Sequence, residues 1–262
     1  MKILIGSPVR TTETWQTEAF KHYLNSIDRL ERPENAQVDR LFLFHNSPHL
    51  KEIVKEGPIP GGNQYIAEVE TPDHYSCTEN THEWKTQNLL AVAAMRNYLI
   101  ETARVMGYDY YFMVDSDLVL HPKTLMVLIE AKKDIVAEAF WTRWTPEDIE
   151  AVNAWDRDTY SFFPDMETRF AQFRKPGLYQ VGMTGACVLI SKPVLQAKVN
   201  YDHIPNVSFW GEDRAFSIRA AVHGFEIWLD THYPPVHLYR PSEYQKYVEN
   251  GGYEAAFSYA KP

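Results

Sequence analysis

Two aspartates one residue apart, Asp115 and Asp117, close the apolar run Tyr110–Val114 in "YYFMVDSDLVL". The run reads as a buried strand, and side chains two apart on a strand point to the same side. Carboxylates placed so repel and are poorly solvated unless a cation or a phosphate-bound metal lies between them. Asp-Ser-Asp is also good turn chemistry, so this stretch leaves turn and site open. A second acidic pair, Glu212 and Asp213 in "WGEDRAF", opens a helix, where carboxylates complement the helix dipole. Other chemistries fail on spacing. An EF-hand loop counted from Asp115 would need Gly and Glu where Leu120 and Met126 stand. "HNSPH" has a proline between His45 and His49, and "HEW" at 82–84 lacks the second histidine of a zincin.

The elements that must position these residues alternate. "KILIG" (2–6) is a short strand closed by the loop signal "SPVR". Thr12 caps a helix carrying Phe20, Tyr23, Leu24, Ile27 and Leu30. "VDRLFLFHNSP" is a second strand, "GPIPGGNQ" (57–64) a loop and "YIAEVE" (65–70) a third strand. After the polar segment 71–87, the pattern from Thr86 to Met106 is the longest helix, stopped by Gly107. "YDYYFMV" is the fourth strand and delivers the aspartates; Pro122 suits the first turn of a helix with Leu125, Leu128 and Ile129, and "DIVAEAFW" is the next strand. Such alternation predicts an α/β fold with a mostly parallel sheet, whose ligands bind beyond the carboxyl ends of the strands. Ser7–Arg10, His45-Asn46 and Asp115–Asp117 all fall at such ends. Residues 145–177 read as a variable flap, "LYQVGMTGACVLISKP" as strand, bend and strand, 211–224 as a helix stopped by Gly224, and "FEIWLD" as the last strand. The stretch from Pro241 is aromatic but not obviously core.

From residue 1 to about 240 the chain resembles the glycosyltransferases of the GT-A fold, through "GSPVR", "AAMRNYLIETA", "YFMVDSD", "VGMTGACVLISKP", "FWGEDRAF" and "DTHYPPVH" in that order. The resemblance implies one catalytic domain over 1–240, with a nucleotide-binding half (1–117), an acceptor half (118–240) bearing a smaller sheet, and a C-terminal tail (241–262). It implies transfer of a sugar from a nucleoside-diphosphate donor, UDP- or GDP-linked, to a hydroxyl on a glycan, lipid-linked or protein acceptor. In that family the Asp-x-Asp motif binds Mn²⁺ or Mg²⁺ against the diphosphate, and a divalent ion stabilises the departing charge. Asp117 would be the direct ligand, Asp115 would contact the ribose, the metal or its waters, and His237 in "PPVHLYR" would complete the set, with His232 a nearby competitor. The acidic pair would face the acceptor, Asp213 being the base of an inverting transfer with Glu212 beside it. Ser7, Pro8, Arg10 and Asn46 lie where the family holds base and ribose, although "FHNS" stands after strand two where an aspartate is common. Arg10 or Arg96 could meet a phosphate, or form salt bridges. Trp141, Arg143, Trp144 and Trp210 flank the expected cleft, as stacking surfaces for sugar or as packing. Gly185 could let backbone approach a sugar, or bend the strand.

Two rivals share the motif: a phosphatase of the haloacid dehalogenase type, with Asp115 as nucleophile and Asp117 as acid, and a sugar-binding protein without catalysis. The first expects its Asp-x-Asp near the N-terminus and a later acidic metal segment. Composition narrows the field further. The 262 residues are 45% hydrophobic and 23% charged, ordinary for a globular protein. The formal net charge of −9 argues against a nucleic-acid partner, which needs a basic face. Cys77 and Cys187 form neither ligand cluster nor disulfide framework. No run of ~20 apolar residues predicts a membrane span, and the opening apolar segment is short for a signal peptide. These features read as cytoplasmic, with peripheral membrane contact left open.

Overall fold

The computed structural model of the chain describes residues 1–71, 75–80, 82, 85–207 and 211–258. The first half contains β1 (Lys2–Val9), α1 (Thr14–Asp28), β2 (Gln37–His45), β3 (Gly57–Ile59), β4 (Gly62–Val69), α2 (Thr86–Val105) and β5 (Tyr110–Met113). After the aspartates come β6 (Leu118–Val119), α3 (Thr124–Glu130), β7 (Ile135–Glu138), β8 (Trp141–Thr142), β9 (Ala151–Val152), β10 (Ala154–Trp155) and α4 (Met166–Phe173). The chain continues through β11 (Leu178–Val181), β12 (Met183–Thr184), β13 (Val188–Ser191), α5 (Lys192–Gln196), α6 (Glu212–Val222), β14 (Ile227–Asp230), β15 (Val236–His237), α7 (Pro241–Glu249) and α8 (Gly252–Phe257).

A nine-stranded sheet in the order β11-β14-β7-β13-β5-β1-β2-β4-β3 forms the middle layer. Strands β4, β2, β1, β5, β7 and β14 run in one direction; β13 lies antiparallel between β5 and β7, and β3 and β11 are antiparallel edges. Alternation along the strands builds two cores. Leu4, Leu41, Tyr111 and Met113 face α2 with its Ala93, Leu99, Ile100 and Ala103. Ile3, Ile5, Phe42 and Phe112 face the other way, onto Phe20, Tyr23 and Ile27 of α1 and Leu125 and Leu128 of α3. Helices thus cover both faces, as parallel strands with apolar residues on both sides require. Gly107 and Gly224 stop α2 and α6 in the left-handed region, at φ 71° and 81°.

Several local readings change. β1 runs on through Ser7-Pro8-Val9, because β2 pairs with it as far as Val9 opposite Phe44. Glu13 caps α1 rather than Thr12; the Gln16 side chain accepts the N–H groups of Thr12 (2.7 Å) and Glu13 (3.1 Å). The expected loop 57–64 holds a hairpin turning at Pro60-Gly61 between Ile59 and Gly62. "FEIWLD" is not the last strand, since β15 follows it.

The region 145–177 is not a separate flap. Its short strands join the site, β9 pairing with β8 and β10 with β12. The stretch from Pro241 also differs from its reading. It folds into α7 and α8, and Tyr247 and Tyr253 bury themselves with Ala19 of α1, Val119 of β6 and Leu238. This satellite core backs the two-residue ladder of β6 and β15, which carries His237 and follows directly on Asp117. Tyr247→Ala should therefore cost about 2–5 kcal/mol of stability, the range for emptying a buried site. Urea unfolding monitored by far-UV circular dichroism would measure it.

Candidate active site

The strand-end aspartates are both a turn and a wall of a cavity. The Leu118 N–H donates to the Asp115 carbonyl at 3.2 Å, closing the turn, while Asp115 and Asp117 line a cavity of about 480 Å³. From that turn β6 runs antiparallel to β15, with Leu118 opposite His237 and the Leu238 N–H donating to the Asp117 carbonyl at 2.9 Å. A ladder two residues long therefore sets His237 beside Asp117, with Nε2 3.3 Å from Oδ2. The other ring nitrogen, Nδ1, lies 2.6 Å from the Thr142 hydroxyl. Asp117 Oδ1 is buried and has no protein partner among the described residues. Burial would push this carboxyl up, but His237 beside it outweighs burial and holds it below its ordinary range. Asp115 shifts the other way. Burial raises it, the neighbouring Asp117 charge adds to the rise, and Arg96 only partly offsets them.

The opposite wall is the first turn of α6, where Glu212 and Asp213 both reach Arg96, a buried residue of α2. One guanidinium nitrogen, Nη1, donates to Asp213 Oδ1 and forms an ion pair with Glu212 Oε1 2.7 Å away; Nη2 donates to both oxygens of Asp115, at 3.1 and 3.2 Å. Of the two readings open for Arg96, phosphate contact or salt bridge, the structure shows the salt bridge, its terminal nitrogens turned to carboxylates from both walls. Burial drives the Asp213 carboxyl up to about 8, with Glu212 and Asp115 adding to the rise and Arg96 opposing it. Gly185 faces Asp213, and a Cβ on it would overlap the carboxyl oxygen. Backbone approach is therefore what this glycine supplies. Asn153 braces it from below, its amide donating to the carbonyls of Gly185 (3.0 Å) and Glu138 (3.2 Å) while its oxygen accepts the Phe140 N–H (2.8 Å).

At the third side Pro8, Arg10 and His45 line the cavity at the ends of β1 and β2. The Arg10 guanidinium lies 4.9 Å from the Tyr75 ring centre. Tyr75 places its hydroxyl 2.6 Å from His82 Nδ1, and His82 stacks on Tyr239 at 3.8 Å with its Nε2 2.6 Å from the Tyr239 carbonyl. A ring whose Nε2–H donates to that carbonyl accepts the tyrosine proton at Nδ1, and burial lowers its pKa.

Other expected residues lie elsewhere. Ser7 is buried and bonds the Tyr23 hydroxyl. Asn46 clasps Thr71, donating to its carbonyl at 2.9 Å and accepting its N–H at 3.0 Å. Trp141 packs edge-on against Phe170 under the Arg174 guanidinium. Arg143 is exposed, and its carbonyl accepts a bond from Arg240 at 2.6 Å. Trp144 joins the lining, and Trp210 lies outside the described residues. Sequence reasoning missed Thr142, Asn153, Tyr75 and Tyr239, and met His82 only as half a zinc motif. Single polar or aromatic residues carry no spacing signal, and only the fold brings them in.

Residues 12–212 match the family model described as Glycosyltransferase family 25, N-terminal domain. The chain belongs to this family. Among curated relatives, procollagen galactosyltransferase 1 of Danio rerio is 30% identical over 130 residues, covering 48% of this chain and 22% of that protein. Inactive glycosyltransferase 25 family member 3 of Homo sapiens is 26% identical over 187 residues, covering 66% and 30%. The chain thus spans less than a third of these relatives' length. A solved structure of GalNAc-T7 with UDP, GalNAc and Mn²⁺ superposes over 100% of this chain and 51% of that one, at a TM-score of 0.55 and 13% identity. TarS of S. aureus superposes over 89% and 36%, at 0.51 and 13%. The GT-A fold expected from the resemblance is therefore the fold observed, and family membership leaves the phosphatase reading without support. No helix among the described residues is long and apolar enough to cross a membrane.

Asp213 allows a test by pH. Its carboxyl is raised on folding, so its contribution to stability is complete below its unfolded value, near 4, and is lost as pH rises through about 8. Between those limits the native state binds the extra proton. Wild type should lose stability relative to Asp213→Asn as pH rises from 5 to about 8.5, read as urea midpoints at each pH.

Proposed function

We propose that the chain transfers a sugar from a nucleoside-diphosphate donor to a hydroxyl acceptor, with inversion at the anomeric carbon and Asp213 as base. The observation that carries this reading is one cavity with Asp115, Asp117 and His237 on one wall and Asp213 on the other. Pro8 and Arg10 border its nucleotide end, and Asn46 and Ser7 act behind them through Thr71 and Tyr23. Residues 1–117 form the donor half and 118–240 the acceptor half, with Trp144 rather than Trp141 or Arg143 at the sugar.

A divalent cation fits the donor wall. No group of three or more His, Cys, Asp or Glu side chains forms a closed cage among the described residues. Yet Asp117 Oδ1 is buried without a partner, and His237 Nε2 is aimed beside it by Thr142. Carboxylate oxygen with imidazole nitrogen suits Mn²⁺, and Asp115 would add an oxygen or hold the ribose. Bound there, the ion would neutralise the charge that gathers on the departing diphosphate. The protein's own groups do the remainder. Asp213 accepts the proton of the acceptor hydroxyl, the oxygen bonds to the anomeric carbon, and the bond from that carbon to the phosphate oxygen breaks. Gly185 leaves room for the carboxyl, and the buried walls limit water at the reacting carbon.

The relatives named galactosyltransferases support UDP-galactose as the first donor to try, and a hydroxyl on protein or glycan as acceptor. A relative named inactive favours a second reading, donor binding without transfer. One set of measurements separates them. UDP should raise the melting temperature only with Mn²⁺, and Asp117→Asn should abolish that rise. Asp213→Asn should keep the rise and lower transfer by ~10²–10⁴-fold, the usual worth of a general base. A nucleotide- and metal-dependent rise without turnover in wild type would establish the second reading. No rise with any nucleoside diphosphate would overturn both.

A further inference from the structure

Arg96 stands between the two walls, and the transferase reading assigns it nothing but salt bridges. Its geometry asks for more. The guanidinium is buried with 5% of its side chain exposed, and its two ends serve different halves of the reaction. Nη2 is divided between the oxygens of Asp115, on the donor wall; Nη1 is shared by Glu212 and Asp213, on the acceptor wall. Beneath it lies the ring of the buried Tyr201, its centre 5.7 Å away. Three carboxylates face one cation. They cannot all be ionised cheaply in a buried place, so what happens to one is felt by the others.

We propose that Arg96 is the positioning residue that links donor occupancy to the readiness of the acceptor base. This inference rests on the transferase reading and deepens it. With no donor, Arg96 is divided between the walls and Asp213 keeps its proton. When Asp115 turns to the donor, the pull of Arg96 falls on Glu212 and Asp213, and the Asp213 proton passes to water. The base is then free for the acceptor hydroxyl. Donor binding precedes acceptor activation, which keeps a competent base from an empty site. A lysine at 96 cannot replace this. Its compact ammonium has no fork to hold two walls at once.

The variant Arg96→Lys tests the link in the intact chain. Expected is a fall in kcat of ~10²-fold, the scale of losing one preorganised electrostatic contact, with little change in the KM for donor. A raised donor KM with kcat held would make Arg96 a phosphate ligand, and no change in either would make it packing alone; both results overturn the proposal. Should Arg96→Lys fold poorly, Glu212→Gln is the second arm. Removing one competitor for the guanidinium should move the carbon-13 titration midpoint of the Asp213 carboxyl downward, and an unmoved midpoint overturns the link. That titration needs no turnover. Absent UDP binding by wild type, which sinks the transferase reading, therefore remains distinct from failure of the link.

Discussion

The site exists because one guanidinium holds apart and together carboxylates that would otherwise refuse to share a cavity. Asp115 arrives on the fourth parallel strand, and Glu212 and Asp213 arrive on a helix nearly a hundred residues later. Without a buried cation between them their mutual repulsion, added to lost solvation, would open the cleft. Arg96 can serve both walls because its planar fork offers separate donors in fixed directions. Its own position depends on α2, whose Leu99, Ile100 and Ala103 are sunk into the sheet core. Packing of that helix therefore sets the electrostatics of the cleft. Neighbours make these buried acidic groups unequal: burial raises both, but His237 holds Asp117 low, whereas Asp213 is pushed up to about 8.

A second dependence runs through the short ladder of β6 and β15. Two residue pairs are too few to stand alone. They are backed by the satellite core in which Tyr247 and Tyr253 meet Val119 and Leu238. The chain beyond His237 also reaches the Arg10 side of the cavity, since Tyr239 stacks on His82 and the Ser242 N–H donates to Glu79 at 3.0 Å. Helices α7 and α8 thus bear on the wall of Asp117 and His237 through packing, although none of their residues lines the cavity.

Much was legible in the chain itself. Strands and helices alternate where periodicity places them, Gly107 and Gly224 stop their helices, and the Asp-x-Asp turn falls at a strand end. Period-two and period-3.6 patterns record burial directly, because the same solvent exclusion that selects apolar residues selects the element. Pro8, Arg10, Arg96, Gly185, Glu212 and His237 line the cavity, whereas Ser7, Asn46, Trp141 and Arg143 do not. Strand β1 runs three residues past its sequence signal, which turns the Ser7 hydroxyl inward to Tyr23. The aromatic residues after Pro241 look like tail because their burial partners lie in α1 and β6, more than a hundred residues away.

The sequence alone determined the α/β class, the strand ends that border the cavity, and which acids stand there. All of these rest on short-range pattern, where burial and turn chemistry are written within a few residues. Tertiary structure alone decided that His237 meets Asp117, that Thr142 aims its ring, and that Arg96 spends its charge on carboxylates instead of an open face. Apart from Arg96 and Asp115, nineteen positions apart, those contacts join residues separated by ninety-five to a hundred and twenty positions. Their energies depend on which helix packs where, and no local spacing records that.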